Sequence, residues 1–390
     1  MGKKNSLRVL HIATIDLSLK KMIADKMLEL KKYNYIIDLM SDDTGMVEDV
    51  KNMGFKHIRL KISRRIRPFQ DIVSVVKLYN FLKRNHYDIV HTHTAKAGVI
   101  GRIAARLAGV KIVVHTSHGL PFYEGQSRFQ FWLYRLLEKL ASYFSDGYFS
   151  QNKEDLNHIK RIVPKHVLVG YEGNGIPLDK IDQYPKLNED EKRKIKKELG
   201  IRDEDFVMIM AARFEPVKNH KMLFKALSKV NVKNLKVILV GLDSRLEEIK
   251  NKALELKVDH YLLFLGYRDD IFDLIQISNA AILTSEKEGI PRFLMESMAF
   301  SKPVLATNVL GTKELVVSGK TGELVELNNY SELADRIYQW TKPEYKPKLL
   351  QYGYNARLRI EQHFTEEIVA KRIHNYYQEL VSKKFNKWNR

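Results

Sequence analysis

The chain contains no cysteine among its 390 residues. That absence excludes disulfides, thiolate metal sites and cysteine nucleophiles, and it fits a reducing compartment. No apolar run approaches the roughly 20 residues a membrane-spanning helix needs, and the first apolar stretch, VLHIAT, is too short for a secretory h-region, so a cytoplasmic protein is expected. No G-x-G-x-x-G follows the first candidate strand and no G-x-x-x-x-G-K-[ST] occurs, which removes the usual dinucleotide fingerprint and the P-loop. No short-period repeat or low-complexity tract is present. The opening MGKKNS matches the short myristoylation pattern, a six-residue match of little weight. Acid is scarce as well: 47 Asp and Glu stand against 66 Lys and Arg, a formal charge of +19.

The shortage of acid is uneven. Between Lys51 and Lys111, fourteen lysines or arginines meet only Asp71 and Asp88. Such a segment points to an anionic partner, whether an acidic membrane surface, a diphosphate substrate or nucleic acid, although solvated basic faces account for part of the excess. The cluster ISRRIRPF, Ile62 to Phe69, sets Arg64, Arg65 and Arg67 among apolar residues beside a proline and reads as a membrane-surface loop.

What is present in abundance is alternation. Short β-branched runs separated by longer amphipathic stretches are the mark of βα units around a parallel sheet. In the first half the strand candidates are RVLHIAT, YIIDLMS, HIRLKI, DIVHTH, KIVVHTS, DGYFSQ and HVLVGYEG. Helical spacing covers Asp71 to Asn85, Ala97 to Leu107 and Phe129 to Phe144. The polar segment from Pro177 to Gly200 reads as a connection. The pattern then restarts with DFVMIMAAR, LKVILVG, YLLFLG, AAILTS, KPVLAT and GELVEL, and the chain ends in a helical pattern from about Thr365 to Lys384. The expected domains are 1–178, a connection over 179–200, 201–364, and a last helix within 365–390. At 390 residues and 44% hydrophobic content, two α/β, doubly wound, Rossmann-like domains are the expectation. They would face a central cleft lined by the carboxyl ends of the strands, where ligands of such sheets bind.

The chemistry-bearing residues therefore belong in strand-to-helix loops. After DFVMIMAAR, Arg213 and Lys218 supply a fork-shaped guanidinium and a flexible ammonium, suited to a diphosphate. A surface pair between Arg213 and Glu215 explains the same charges more plainly. In SEKEGIPRFLMESMAF, Glu288 precedes a helix whose first turn admits Pro291, and Glu296 lies inside it. Amides around Gly289 and Ile290, with the positive helix end, make an anion site between the two carboxylates. That placement fits a phosphate flanked by hydroxyl-bearing sugars, one on each glutamate. A helix-start charge and a solvated helix residue are the plainer account. A glycosidase-like acid/base pair needs two carboxylates facing across a scissile bond, which this sequence spacing disfavours.

In the first half, YDIVHTHTAKAG puts His91 and His93 on one strand face, half a metal site with no third ligand spaced to complete it. Lys96, near a helix start, suits an anionic substrate group or simple solvation. His118, in the loop of HTSHG, suits a sugar hydroxyl or a local backbone contact.

Taken together, SEKEGIPRFLMESMAFSKPVLATNVLGTKELV, AARFEPVKNH, YDIVHTHTAKAG, HTSHG and GNGIPLDK resemble, in order and spacing, the retaining glycosyltransferases of family four, which have the GT-B fold. The resemblance covers roughly residues 7 to 335. It implies a nucleotide sugar, UDP-linked, as co-substrate bound mainly by the second domain, and an acceptor bound by the first. By that resemblance Arg213 and Lys218 hold the diphosphate, Glu288 positions the sugar and Glu296 takes the ribose. Gly289, Ile290 and Pro291 contribute backbone contacts, Tyr267 and Arg268 lie at the base, and His118 lies near the donor sugar. The catalytic set is then Glu288, His118, Arg213 and Lys218. The resemblance also implies that no divalent metal or other cofactor is required and that the last helix crosses back onto the first domain. One departure is the glycine-free loop ATIDLSLKKM, closer to the capsule, O-antigen and exopolysaccharide branch. Thr14, in that loop, and Lys96 are the residues expected on the acceptor.

The leading expectation is a hexose or N-acetylhexosamine transferase acting on a polyprenyl-diphosphate-linked glycan, peripheral at the cytoplasmic membrane face through its N-terminal domain. A UDP-sugar 2-epimerase shares the architecture and needs no acceptor. Nucleic-acid binding driven by charge lacks any supporting recognition motif or aromatic-basic interleaving.

Overall fold

The computed structural model describes residues 6–63, 67–122, 126–242 and 245–388, with side chains as far as 384. The chain divides into two units, one of Met1–Pro177 with Glu366–Arg390 and one of Leu178–Thr365.

The first unit is built on seven parallel strands. These are β1 (Leu7–Ile15), β2 (Tyr35–Asp42), β3 (Lys56–Arg59), β4 (Ile89–His93), β5 (Ile112–Ser117), β6 (Gly147–Ser150) and β7 (Leu168–Tyr171), in the order β3-β2-β1-β4-β5-β6-β7. β4 and β5 are buried along their whole length because helices cover both sheet faces, which is why their sequences are runs rather than alternations. On one face Met27 and Leu30 of the Ala24–Lys31 helix pack with Val369, Ile373 and Tyr377 of the C-terminal helix, Glu366–Trp388. On the other, Leu78 and Leu82 of Pro68–Asn85 meet Ile100 and Ala104 of Ala95–Leu107. Each large aliphatic side chain buried in this way stabilises the fold by about 1.5–3 kcal/mol.

The second unit repeats the plan with β8 (Phe206–Ala211), β9 (Leu235–Val240), β10 (Leu262–Gly266), β11 (Ala280–Leu283), β12 (Val304–Thr307) and β13 (Gly322–Val325), in the order β10-β9-β8-β11-β12-β13. All pairings in both sheets are parallel. The direction of winding reverses between β1 and β4 in the first sheet and between β8 and β11 in the second. Those two switch points are where such sheets bind ligands.

Three segments differ from the sequence reading. The polar stretch expected as a connection over 179–200 contains two helices of the second unit, Leu178–Asp182 and Glu189–Glu198. Asn188 and Glu191 close a capping box on the second helix, and Leu187, Ile195 and Leu199 pack against the core beside β8. Three apolar contacts suffice to dock a helix whose other faces are charged. The helix Lys346–His363, absent from the sequence reading, buries Tyr352, Ala356 and Ile360 and brings Gly353 so near the Ser301 carbonyl that a Cβ would lie 2.0 Å from it. Third, the segment ATIDLSLKKM, expected as a glycine-free loop, is strand as far as Ile15 and helical from Asp16. The buried Asp16 carboxylate accepts from the backbone N–H of Leu17, Thr44 and Met46 and from the Thr44 hydroxyl, which fixes the turn without glycine. Burial raises its pKa, but these four bonds outweigh that and hold it below the usual value.

Among the described residues no helix is long and apolar enough to cross a membrane. Arg64 and Arg65 of the basic cluster lie outside the described residues; Arg67 is exposed at the start of the Pro68–Asn85 helix.

Candidate functional site

At the switch point of the second sheet, β8 feeds the segment carrying Arg213 and Lys218, and β11 feeds the loop from Thr284 to Pro291. Lys218 Nζ lies 2.6 Å from Glu288 Oε1, and Ser285 Oγ donates to the same oxygen at 2.6 Å. Both contacts fall on Oε1, so Oε2 keeps its capacity to accept from a bound hydroxyl. The loop is pinned on two sides: Glu286 N–H donates to Val217 O (2.8 Å), Glu288 N–H to Leu310 O (3.2 Å) and Thr307 Oγ1 to Ser285 O (2.6 Å). Gly311, at φ +85°, makes this approach possible, since a Cβ there would lie 1.8 Å from Gly289 O.

Pro291 is the N-cap rather than a first-turn residue, in extended geometry (φ −70°, ψ 113°), and the helix runs Arg292–Ala299. No side chain caps it, so its leading amides and the positive helix end form an anion-attracting surface after Gly289 and Ile290. Behind Lys218, Asn219 takes a left-handed conformation and its side chain caps the helix His220–Leu227. Asn219 Nδ2 and the buried His220 Nδ1 have no partner among the described residues. Burial, followed by the charge of Lys218, pushes His220 down to about 4.

The remaining expected residues of this unit contact partners of their own. Arg213, largely exposed, pairs with Glu215 at 2.8 Å, the plainer of the two sequence readings. Glu296 accepts from Arg292 Nε at 2.9 Å, one helical turn away. Arg268 is held by Asp270, whose hydrogen bond raises the guanidinium further. Tyr267 is exposed, its phenol raised by a hydrogen bond with Asp269. The fold thus brings Lys218, Ser285 and Glu288 into direct contact. Among the described residues, no hydrogen bond or ion pair joins Arg213, Tyr267, Arg268 or Glu296 to them.

In the first unit, Thr14 Oγ1 and Thr94 Oγ1 are 2.8 Å apart across the β1/β4 switch point. Thr94 sits at φ 61°, ψ 150°, a region otherwise left to glycine, immediately before the helix Ala95–Leu107. A β-branched residue there stores roughly 1–3 kcal/mol of strain, a recurrent feature of functional sites. Lys96, expected to meet an anionic acceptor, makes an ion pair with Asp71 at 2.8 Å and is mostly buried, so its ammonium is already matched within the unit.

His118 opens onto a buried histidine cluster. His93 Nδ1 lies 2.9 Å from His118 Nε2, and His93 Nε2 lies 2.9 Å from His11 Nδ1. The expectation that no third ligand completes His91 and His93 is corrected here. β1 pairs with β4 so that His11 stands opposite His91, and the three rings place nitrogens within 4.8 Å of one another. Those nitrogens are occupied by hydrogen bonds, and burial pushes all three imidazoles well below the ordinary value. Burial, then the charge of Lys26, lowers His118 to about 4.

The sequence reading missed Ser285, Thr94 and His11. Ser285 was legible as the first residue of SEKEG, and His11 as a polar residue inside an apolar strand. Helical spacing over Phe129 to Phe144 implied an amphipathic helix, and the helix runs Arg128–Ser142. Its Phe129 (77%), Trp132 (60%), Leu136 and Leu140 instead form an exposed apolar stripe at helical spacing.

Residues 191–359 match the family model of glycosyl transferases group 1, and residues 9–152 match that of glycosyl transferase 4-like proteins. The chain is 30% identical over 321 residues to the Escherichia coli UDP-Gal:alpha-D-GlcNAc-diphosphoundecaprenol alpha-1,3-galactosyltransferase, covering 80% of this chain and 81% of that one. It is 24% identical over 381 residues to the capsular polysaccharide biosynthesis glycosyltransferase CapM of Staphylococcus aureus, covering 95% and 96%. Among solved structures, HepE of Anabaena in complex with UDP and glucose superposes with a TM-score of 0.80 at 21% identity, over 96% of this chain and 100% of that one. The two Rossmann-like sheets are therefore those of the GT-B fold, and the chain belongs to the group 1, family 4-like glycosyltransferases, enzymes that transfer a sugar to an acceptor.

Proposed function

We propose that the protein moves a hexose or N-acetylhexosamine from a UDP-sugar to a polyprenyl-diphosphate-linked glycan, with retention of anomeric configuration, in bacterial surface-polysaccharide assembly. The observation that carries the reading is Glu288 gripped on one oxygen by Lys218 and Ser285, directly before an uncapped helix. Lys218, Arg213 and the helix amides take the charge of the leaving diphosphate. Glu288 Oε2 accepts from a sugar hydroxyl, Glu296 from the ribose, and Tyr267 and Arg268 border the base. His118, as a neutral acceptor, receives a hydroxyl of the sugar substrate, and Thr14 lies on the acceptor side.

Catalysis on this reading is electrostatic. As the bond from the anomeric carbon to the diphosphate oxygen breaks, positive character grows on the carbon and negative charge on the departing UDP, against cations already in place. The acceptor oxygen bonds to the same face, and its proton passes to the departing phosphate oxygen, so the books of atoms and charge close without a protein nucleophile. The Escherichia coli relative, whose name specifies UDP-Gal and a diphosphoundecaprenol-linked acceptor, supports the choice of both substrates.

An anionic membrane surface fits the first unit. Phe69 is 86% exposed at the start of one helix, and the apolar stripe of Arg128–Ser142 carries Arg128, Arg135 and Lys139 on the same element. Apolar side chains bordered by cations are what an acidic lipid interface accommodates.

The test is thermal stabilisation by a panel of nucleotide sugars, repeated on Glu288→Ala and Arg213→Ala, with UDP release followed with and without a lipid-linked glycan. Stabilisation by a UDP-sugar that both substitutions weaken is expected, with release dependent on the acceptor. Stabilisation indifferent to both substitutions would remove the site assignment, and a free epimer formed without acceptor would replace transfer by 2-epimerisation.

A further inference from the structure

Eight polar side chains in the first unit form one continuous buried chain. Lys26 Nζ meets Glu172 Oε1 at 2.8 Å, both side chains fully buried, so the carboxylate is ionised. Thr116 Oγ1 lies 2.5 Å from Glu172 Oε2 and 2.6 Å from His91 Nε2. His91 Nδ1 is 2.7 Å from the Tyr377 hydroxyl, which lies 3.4 Å from His11 Nε2. His11 Nδ1, His93 and His118 continue the chain at 2.9 Å per step.

Counting donors from Glu172, and carrying the count through the 3.4 Å contact between Tyr377 and His11, gives the line one polarity. An ionised carboxylate only accepts, so the single Thr116 hydrogen points at Glu172 and Thr116 must accept from His91 Nε2–H. His91 Nδ1 is then bare and accepts the Tyr377 hydroxyl hydrogen. The Tyr377 oxygen in turn accepts from His11 Nε2–H, leaving His11 Nδ1 to accept from His93 Nε2–H. His93 Nδ1 accepts from His118 Nε2–H. The chain therefore ends on a bare His118 Nδ1, and that buried atom is the one ring nitrogen of the four histidines with no partner among the described residues. A hydrogen bond with the Gln151 side chain raises the imidazole, although Nδ1 meets no partner at full hydrogen-bond geometry. Burial keeps all four imidazoles neutral and holds the Tyr377 phenol protonated, the condition under which one polarity runs through the whole chain.

We propose that Glu172, acting through Thr116, His91, Tyr377, His11 and His93, fixes the tautomer of His118, placing its proton on Nε2 and presenting Nδ1 as a hydrogen-bond acceptor. Glu172, Thr116 and Tyr377 are positioning residues: they touch no substrate and act through the imidazoles. A metal ion among His11, His91 and His93 is the competing use of the same nitrogens, and it is disfavoured because the ion would need lone pairs that the hydrogen bonds already engage. The inference deepens the proposed role of His118 and rests on that reading for its catalytic meaning.

The test uses full-length protein labelled with nitrogen-15 at histidine, in which long-range proton–nitrogen spectra separate protonated from bare ring nitrogens. The wild type should show His118 with hydrogen on Nε2 only. Thr116→Val and Tyr377→Phe should each yield mixed tautomers at His118, and Thr116→Ser, which keeps the hydroxyl, should restore one. The two disruptive variants should lower kcat about tenfold or more with the donor KM nearly unchanged, as a misplaced imidazole proton does elsewhere. Hydrogen on Nδ1 in the wild type, a His118 tautomer indifferent to both variants, or stoichiometric metal in the purified protein would each overturn the proposal. The spectra need no turnover: His118→Ala with full activity would remove the catalytic reading of His118 while a tautomer that follows Thr116 and Tyr377 would still support the chain.

Discussion

The switch points of the two sheets solve opposite problems. In the first unit four histidines are linked by neutral hydrogen bonds in a closed interior, and only one ring nitrogen is left over. In the second unit Lys218, Arg213, Arg268 and Arg292 are partly to largely accessible, and each faces a carboxylate of its own unit. An exposed ion pair such as Arg213–Glu215 is worth roughly 0–1 kcal/mol, so an incoming diphosphate can exchange for that carboxylate at little penalty. A buried hydrogen bond that loses its partner costs about 1–3 kcal/mol, so the first site resists rearrangement. The contrast fits the proposed roles, a charged donor exchanging at the second unit and a directional hydrogen-bond acceptor fixed in the first.

The largest expected effect tests whether the charged side carries the chemistry. Lys218→Ala should lower kcat/KM for the nucleotide sugar by about 100-fold or more, because it removes a cation from the leaving group and strands Glu288. Steady-state kinetics near wild-type values would erase the distinction between the units.

Acid should separate them next. Burial pushes His11, His91, His93 and His115 well below 6.5 and His118 to about 4, against His220, also to about 4, in the second unit. In the unfolded chain these groups take up protons as pH drops below 6.5, whereas in the folded chain they do not until lower pH. Stability is thus full above 6.5 and declines toward 4, by at most ~1.4 kcal/mol per pH unit for each histidine. Hydrogen exchange between pH 7 and 5 should show the first unit losing protection faster than the second; equal loss would break the comparison.

A smaller effect probes how the charged loop is held. Gly311→Ala forces a Cβ against Gly289 O in a backbone conformation unfavourable to alanine, and should destabilise the second unit by roughly 1–3 kcal/mol while weakening nucleotide-sugar binding. Thermal melts with and without UDP-sugar check both.

The smallest concerns the exposed stripe. Phe129→Ala with Trp132→Ala should reduce sedimentation with anionic liposomes several-fold and leave nucleotide-sugar binding unchanged. Unaltered sedimentation would detach the first unit from the membrane.

Legibility in the sequence followed the range of the interaction involved. Strand and helix positions came through because apolar runs such as KIVVHTS and LKVILVG are short, rich in β-branched residues and set between longer amphipathic stretches, which suits a sheet covered on both faces. Glu288 and Lys218 were legible because strand-to-helix loops are where doubly wound sheets act, although their contact spans 70 residues of chain. Ser285, two residues past the end of β11, was overlooked since a hydroxyl there has many local uses. The helix Glu189–Glu198 hid behind its charge because its docking needs only Leu187, Ile195 and Leu199.

By itself the sequence determined the alternation of strands and helices, the restart of the pattern in the second half and the loops that carry charge, because each depends on periodicity or on neighbours a few residues apart. Only the tertiary structure decided that His11 stands opposite His91, that Tyr377 reaches them from the far end of the chain, and that Glu172 terminates the line. Strand register and helix docking bring together residues separated by up to 366 positions, and no local pattern encodes such a distance.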